Sequence, residues 1–182
     1  MKMLTLIRAL PGAGKTSWMW SVISAHNPLG YVAVATDDWF MIDDEYEFER
    51  IMEANPDALR ENHLKCQATA IKAMKAGKHV FVHNTFTQRW EMEPYLVAAK
   101  ELGYRIDVVS LFDNGCTDEE LAERNEHKVP LKHITTMRTR FEHDWKNGNP
   151  IPPWERTVVK HSIPGIVNTM VTGTDAIHEA EV

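Results

Sequence analysis

Cysteine is scarce in this sequence. Cys66 and Cys116 are the only two, they stand far apart, and no C-x-x-C pair is present. A disulfide framework and a cysteine-based zinc site are therefore excluded as organising principles, and a reducing cytoplasm is the expected setting. Long apolar runs are also missing. No stretch approaches the roughly 18 apolar residues that a membrane-spanning helix needs. The apolar start, Met1 to Leu10, is interrupted by Arg8 and runs straight into a glycine-rich loop, unlike a secretory leader. Positive charge is in deficit: 20 Lys and Arg against 26 Asp and Glu give −6. Such a balance argues against coating nucleic acid non-specifically, while a local basic cleft for one strand end remains compatible with it. Internal repeats and low-complexity tracts are absent, and none of the nine histidines falls in an H-E-x-x-H or finger pattern.

What is present is an ordinary globular composition, 43% apolar and 25% charged over 182 residues, enough for one domain with a sizeable core. Apolar runs of strand type alternate with segments of helical period. Met3 to Ile7, Tyr31 to Ala35, His79 to His83 and Ile106 to Leu111 read as strands. Lys15 to Ala25, Leu59 to Ala76, Glu91 to Leu102, Asp118 to Glu126 and Leu131 to Trp145 read as helices. Gly77 and Gly103 are the expected stops of the second and third. This alternation predicts an α/β fold, a parallel sheet sandwiched by helices. Residues 1–148 are expected to form the domain, with lid helices at about 118–146. Residues 149–182 read as a Pro-containing extension ending in an acidic tail.

Charge is unevenly placed. From Asp37 to Asn62 ten acids face two arginines, a net −8. From Leu121 to Lys146 six Lys or Arg face four acids, a net +2. The second segment is where an anion would be clamped.

The strongest motif is Ala9-Leu-Pro-Gly-Ala-Gly-Lys-Thr16, which departs from G-x-x-x-x-G-K-[ST] only at Ala9. It lies between a strand and a helix, as a P-loop must. Pro11, Gly12, Ala13 and Gly14 are expected to fold around phosphate oxygens, helped by the positive end of the following helix. Lys15 can reach the β- and γ-phosphates of ATP, and Thr16 can ligate Mg²⁺, with Asp37 as a further metal candidate. Asp37 and Asp38 directly follow the second strand, and strand C-termini of a parallel sheet open onto the ligand crevice. Asp37 is the candidate general base for a substrate hydroxyl. Asp38 fits a capping or orienting role and is also a substrate-side candidate. His83, Asn84 and Thr85 end the third strand at the same edge and are further substrate candidates. Trp39 and Phe40 offer aromatic surface on which a base could stack.

Four blocks then resemble the P-loop kinases related to polynucleotide 5′-hydroxyl kinase, including an AAA-like kinase family of phages and larger eukaryotic proteins. They are Leu10-Pro-Gly-Ala-Gly-Lys-Thr16, Thr36-Asp-Asp-Trp-Phe40, Asn84-Thr-Phe-Thr-Gln-Arg-Trp-Glu-Met-Glu-Pro-Tyr95 and Glu120-Leu-Ala-Glu-Arg-Asn125. The resemblance implies a P-loop NTPase fold with a C-terminal helical lid and Asp37 as general base. It also implies lid cations over ATP drawn from Arg124, Lys128, Arg138 and Arg140. The implied activity is transfer of the γ-phosphoryl of ATP to a nucleic-acid hydroxyl, first of all a polynucleotide 5′-hydroxyl. A hydroxymethylated base in DNA, a nucleoside or a sugar nucleotide are the alternative acceptors, and a non-catalytic nucleotide switch is a third reading. Three features depart from the family. Phe40 replaces an arginine that contacts the acceptor strand, His83-Asn84-Thr85-Phe86 replaces Asp-Asn-Thr-Asn, and this chain has no room for a phosphatase domain.

Overall fold

The four apolar runs pair as one parallel sheet in the computed structural model of the protein. The structure describes residues 2–26 and 30–143, together with 157–163 and 166–172 as backbone. Strand β1 (Met3–Ala9) lies between β5 (His79–Asn84) and β6 (Arg105–Phe112), and β2 (Tyr31–Val34) forms the other edge, giving the order β2-β5-β1-β6. The central strands β1 and β5 are buried along almost their whole length, which is why they are near-continuous apolar runs. Register sets Ile7 beside His83 and Arg8 beside Asn84, so both strands end at one crevice.

Helices cover both faces. Helices α3 (Ala58–Lys75) and α4 (Glu93–Glu101) supply Cys66, Ala70, Met74, Tyr95 and Ala99 against Leu4, Leu6, Val80 and Val82. On the other face α1 (Lys15–His26), α5 (Asp118–Arg124) and α6 (Leu131–Arg140) bring Met19, Ile23, Leu121 and Ile134 against Ile7, Phe81, Val109 and Leu111. Alternate residues of each strand thus feed two separate cores. Helices α3 and α4 each end two residues before Gly77 and Gly103, close to the stops that the sequence predicts.

Three features differ from the expectation. First, the acidic stretch after β2 is built structure. It comprises a 3-10 turn (Thr36–Phe40), a hairpin of β3 (Met41–Ile42) and β4 (Glu45–Tyr46), and helix α2 (Phe48–Ala54). Asp43 and Asp44 take the left-handed conformation at the hairpin tip, with φ of 50° and 65°, which short acidic side chains tolerate in a two-residue turn. Second, α6 stops at Arg140 instead of running to Trp145. Phe141 is drawn into the core at 1% exposure, and the Glu142 N–H donates to the Thr87 carbonyl at 2.8 Å, so the chain leaves the helix to pair with the loop after β5. Third, the expected extension contains an antiparallel hairpin of β7 (Thr157–Ile163) and β8 (Ile166–Thr172). The proline-rich segment at 149–154, the acidic tail at 173–182 and the boundary expected at 148 lie outside the described residues.

Arg8 pins this architecture. It is 1% exposed, yet its guanidinium donates to the carbonyls of Phe86 (2.9 and 2.7 Å), Thr87 (3.3 Å) and Glu142 (2.7 Å), and lies 4.1 Å over the Phe141 ring. A buried charge is tolerated only when its donors are met in this way.

Candidate active site

The loop between β1 and α1 turns on two residues with positive φ, Gly12 at 78° and Gly14 at 88°. A Cβ on Gly12 would stand 2.2 Å from the Leu121 carbonyl oxygen of α5. Only glycine lets α5 pack this closely on the loop. Helix α1 forms its first i−4 bond from the Trp18 N–H to the Gly14 carbonyl at 2.9 Å. The N–H groups of Lys15, Thr16 and Ser17 precede that bond and lie at the positive end of the helix, an arrangement suited to an anion. Pro11 has no N–H, and the Ala13 N–H donates to the Leu10 carbonyl at 3.2 Å, so these two residues shape the loop. Thr16 is exposed at the start of α1.

The Lys15 ammonium donates back to the carbonyls of Ala9 (3.1 Å) and Leu10 (3.2 Å). Burial lowers its pKa from 10.5 to about 8, with Asp37 pulling it back up. Asp37 follows β2, in the 3-10 turn. Its Oδ1 accepts the Tyr46 hydroxyl at 3.2 Å, and its Oδ2 lies 3.9 Å from Nε2 of His127. Its side chain keeps 47% exposure, so a substrate hydroxyl has access to it. Burial raises the Tyr46 phenol, and the Asp37 charge raises it further, so it stays a proton donor. Burial also brings His83 down to about 4, with Lys15 pushing the same way and Asp37 opposing. His83 is therefore a neutral, half-buried imidazole at the end of β5 that senses both Lys15 and Asp37. Lys15, Asp38, Tyr46, His63 and His83 all feel the Asp37 charge, which makes that carboxylate the electrostatic centre of the crevice.

The other predicted residues divide. Asp38 turns back to cap its own turn: its Oδ2 accepts from the Ala35 N–H at 2.9 Å, and burial raises its pKa while that bond opposes the shift. Asn84 is buried and holds the turn in place, accepting the Thr36 N–H at 2.8 Å and donating to Cys66 Sγ at 3.6 Å. Thr85 is half-buried beside it. Trp39 is half-buried and packs against the α3 side of the core. Phe40 corrects the expectation of a stacking platform. It is 0% exposed, with its ring 4.8 Å from Phe48 and 6.2 Å from Tyr46, so it anchors the hairpin and offers no face to a base.

The lid candidates divide too. Arg138 is already engaged within the fold. Its guanidinium bonds Asp118 (2.6 Å), Asp113 and the Cys116 carbonyl (2.9 Å), fastening α6 to the start of α5 and the loop before it. Two carboxylates already balance its charge. Arg124 is exposed at the end of α5 and touches Cys116 Sγ at 2.7 Å. Lys128 and Arg140 are exposed, Lys128 in the left-handed conformation at φ 53°.

Sequence reasoning missed Tyr46, His63, His127 and Arg8. His63 of α3 hydrogen-bonds Thr36 Oγ1 at 3.1 Å, and burial lowers its pKa against the pull of Glu91 and Asp37. These residues carry no motif. The one available signal was an aromatic just beyond an acidic turn and a histidine in the lid segment.

A parallel sheet, a glycine loop opening a helix and a carboxylate after the edge strand β2 define a P-loop kinase fold. The chain belongs to the AAA domain family AAA_33, whose model matches residues 4–143. It is 34% identical over 145 residues to human NEDD4-binding protein 2, covering 76% of this chain and 8% of that protein. It thus spans a small part of that relative. Among solved structures, it superposes on a chain of the Pnkp1/Rnl/Hen1 RNA repair complex with a TM-score of 0.53 and 18% identity, covering 83% of this chain and 48% of that one. A gluconokinase from Sinorhizobium meliloti 1021 gives a TM-score of 0.51 and 16% identity, covering 80% and 78%. Both likenesses are of fold. Among the described residues, no helix is long and apolar enough to cross a membrane, and no group of three or more His, Cys, Asp or Glu is arranged to hold a metal ion.

Proposed function

We propose that this domain is an ATP-dependent kinase that phosphorylates a hydroxyl of a nucleic acid, a polynucleotide 5′-hydroxyl in the first reading. The observation that carries this is the placement of Asp37. It stands after β2 with a half-exposed carboxylate, close enough to the P-loop for its charge to act on Lys15.

The loop N–H groups and Lys15 hold the triphosphate. Asp37 accepts the acceptor's proton as its oxygen bonds the γ-phosphorus, the bond to the bridging oxygen breaks and ADP leaves. Arg124 and Lys128, the exposed cations of α5 and the turn after it, face developing charge on the phosphoryl group. Mg²⁺ suits the Thr16 hydroxyl: it would be held by this hard oxygen donor, the ion taking few protein ligands when phosphates supply the rest, and Asp37 is left to the acceptor. When bound, it neutralises charge on the β- and γ-phosphates.

One observation favours a second acceptor. Phe40 is buried where phage-type relatives carry an acceptor-binding arginine, and the adjoining hairpin exposes Asp43, Asp44 and Glu45. A polyanion meets repulsion there, whereas a hydroxymethylated base, a nucleoside or a sugar nucleotide places less charge against that wall.

The test is transfer of label from γ-labelled ATP with Mg²⁺ to a panel of 5′-hydroxyl DNA and RNA oligomers, nucleosides and DNA with hydroxymethylated bases. Label on strand ends supports the first reading. Label on bases or nucleosides alone replaces it with the second. ATP binding with no transfer to any acceptor counts against both and favours a nucleotide switch.

A further inference from the structure

We propose that Tyr46 and His127 form a clasp that presents Asp37 to the acceptor and ties the acceptor wall to the lid; this rests on Asp37 being the base. Two segments far apart in sequence meet at the carboxylate. Tyr46 ends the acidic hairpin, which is fixed at its base by the Glu47 N–H donating to the Phe40 carbonyl at 2.8 Å. Phe40 and Phe48 lock the Tyr46 ring from beneath, with centroids at 6.2 and 6.3 Å. From that fixed ring the hydroxyl donates to Asp37 Oδ1 at 3.2 Å. One carboxylate oxygen is thereby occupied and the carboxylate rotamer is set, which leaves Oδ2 to take the proton.

His127 comes from the turn between α5 and α6. Buried Asn125 builds that turn: its carbonyl accepts the Lys128 N–H at 3.1 Å, and its Oδ1 accepts the Val129 N–H at 3.2 Å. Lys128 adopts φ of 53° to complete it. The result sets the His127 ring 4.0 Å from the Tyr46 ring, tilted by 34°, with Nε2 3.9 Å from Asp37 Oδ2. That gap is too long for a good hydrogen bond. The ring therefore borders the space at Oδ2 where an acceptor hydroxyl must sit. Helix α5, which carries Arg124, also presses its Leu121 carbonyl against Gly12. One short lid segment thus touches the phosphate loop at one end and the base at the other. Tyr46 and His127 are positioning residues on this account: they act through Asp37 and the shape of the acceptor space.

The test compares Tyr46→Phe, His127→Phe and His127→Ala with the wild-type chain, measuring acceptor transfer, separate KM values for ATP and acceptor, and slow hydrolysis of ATP by water. Tyr46→Phe keeps the ring and loses the hydroxyl; kcat is expected to fall about tenfold or more with the KM for ATP changed by less than about twofold. His127→Ala is expected to raise the acceptor KM about fivefold, and His127→Phe, which keeps the stack, to restore most of it. Unchanged kcat in Tyr46→Phe, or a KM effect of His127→Ala confined to ATP, overturns the clasp while leaving the kinase reading intact. If the wild type labels no nucleic-acid acceptor but hydrolyses ATP, loss of that hydrolysis in Tyr46→Phe and Asp37→Asn alike supports the clasp and removes the acceptor reading.

Discussion

The two sides of the crevice are built in opposite ways. The phosphate side is made of backbone: two positive-φ glycines, a helix start and one lysine, all within eight consecutive residues. The acceptor side is made of side chains from four separate segments. Asp37 follows β2, Tyr46 comes from the hairpin, Asn84 from the end of β5 and His127 from the turn between α5 and α6. A backbone site needs specific residue types at fixed spacing, so it leaves a motif. A side-chain site assembled through the fold can be rebuilt in many ways, so it varies with the substrate.

This contrast suggests experiments that strike one side and spare the other. The largest effect is expected on the phosphate side. Lys15→Ala is expected to cost about a thousandfold or more in transfer rate with every acceptor, read by label transfer under saturating acceptor. A comparable loss with one acceptor only would break the division between the sides.

The lid offers a sharper comparison between two arginines. Arg124→Ala is expected to slow transfer about a hundredfold with little change in melting temperature. Arg138→Lys, which cannot span both Asp113 and Asp118, is expected to cost ~1–2 kcal/mol of stability while transfer changes by less than about threefold. Urea denaturation and initial rates on the same samples separate the two roles.

Beneath both sides lies Arg8. Arg8→Met removes the donors that satisfy the carbonyls of Phe86 and Glu142, and is expected to destabilise the fold by ~3 kcal/mol in urea denaturation. Near-wild-type stability would mean that those carbonyls find other partners.

The smallest expected effect is the pH dependence of ATP affinity. Burial places the Lys15 pKa at about 8, below its ordinary 10.5. Its folded pKa is depressed, so the unfolded chain binds more protons between those values, and stability rises with pH across that window. The triphosphate needs the charged ammonium, so affinity moves the other way, falling about tenfold from pH 7 to pH 9. Calorimetry near pH 8 should show proton uptake on binding. His83 remains neutral throughout, since its pKa lies at about 4.

The fold was largely legible because each central element carried its own signal. The four sheet strands and the helices flanking them follow from apolar period, and the loop from its glycines and lysine. The parts that were not legible share a physical reason. Strands β3 and β4 have two residues each, too few for a period, and α2 buries none of its residues. Phe40 read as an exposed aromatic because its covering partners, Tyr46 and Phe48, lie beyond a turn that acidic residues disguised. The pairing of Arg138 was not legible because its two carboxylate partners lie twenty and twenty-five residues away. Arg8 read as an interruption of an apolar run, and only the fold shows the carbonyls that accept from it.

The central claim is that Asp37 acts on the acceptor while the phosphate side binds ATP without it. The direct measurement is Asp37→Asn, with ATP affinity and the single-turnover rate of transfer determined on one preparation. The account predicts affinity within about threefold of wild type and a rate lower by about a hundredfold. A rate close to wild type, or a loss explained wholly by weaker ATP binding, would contradict it.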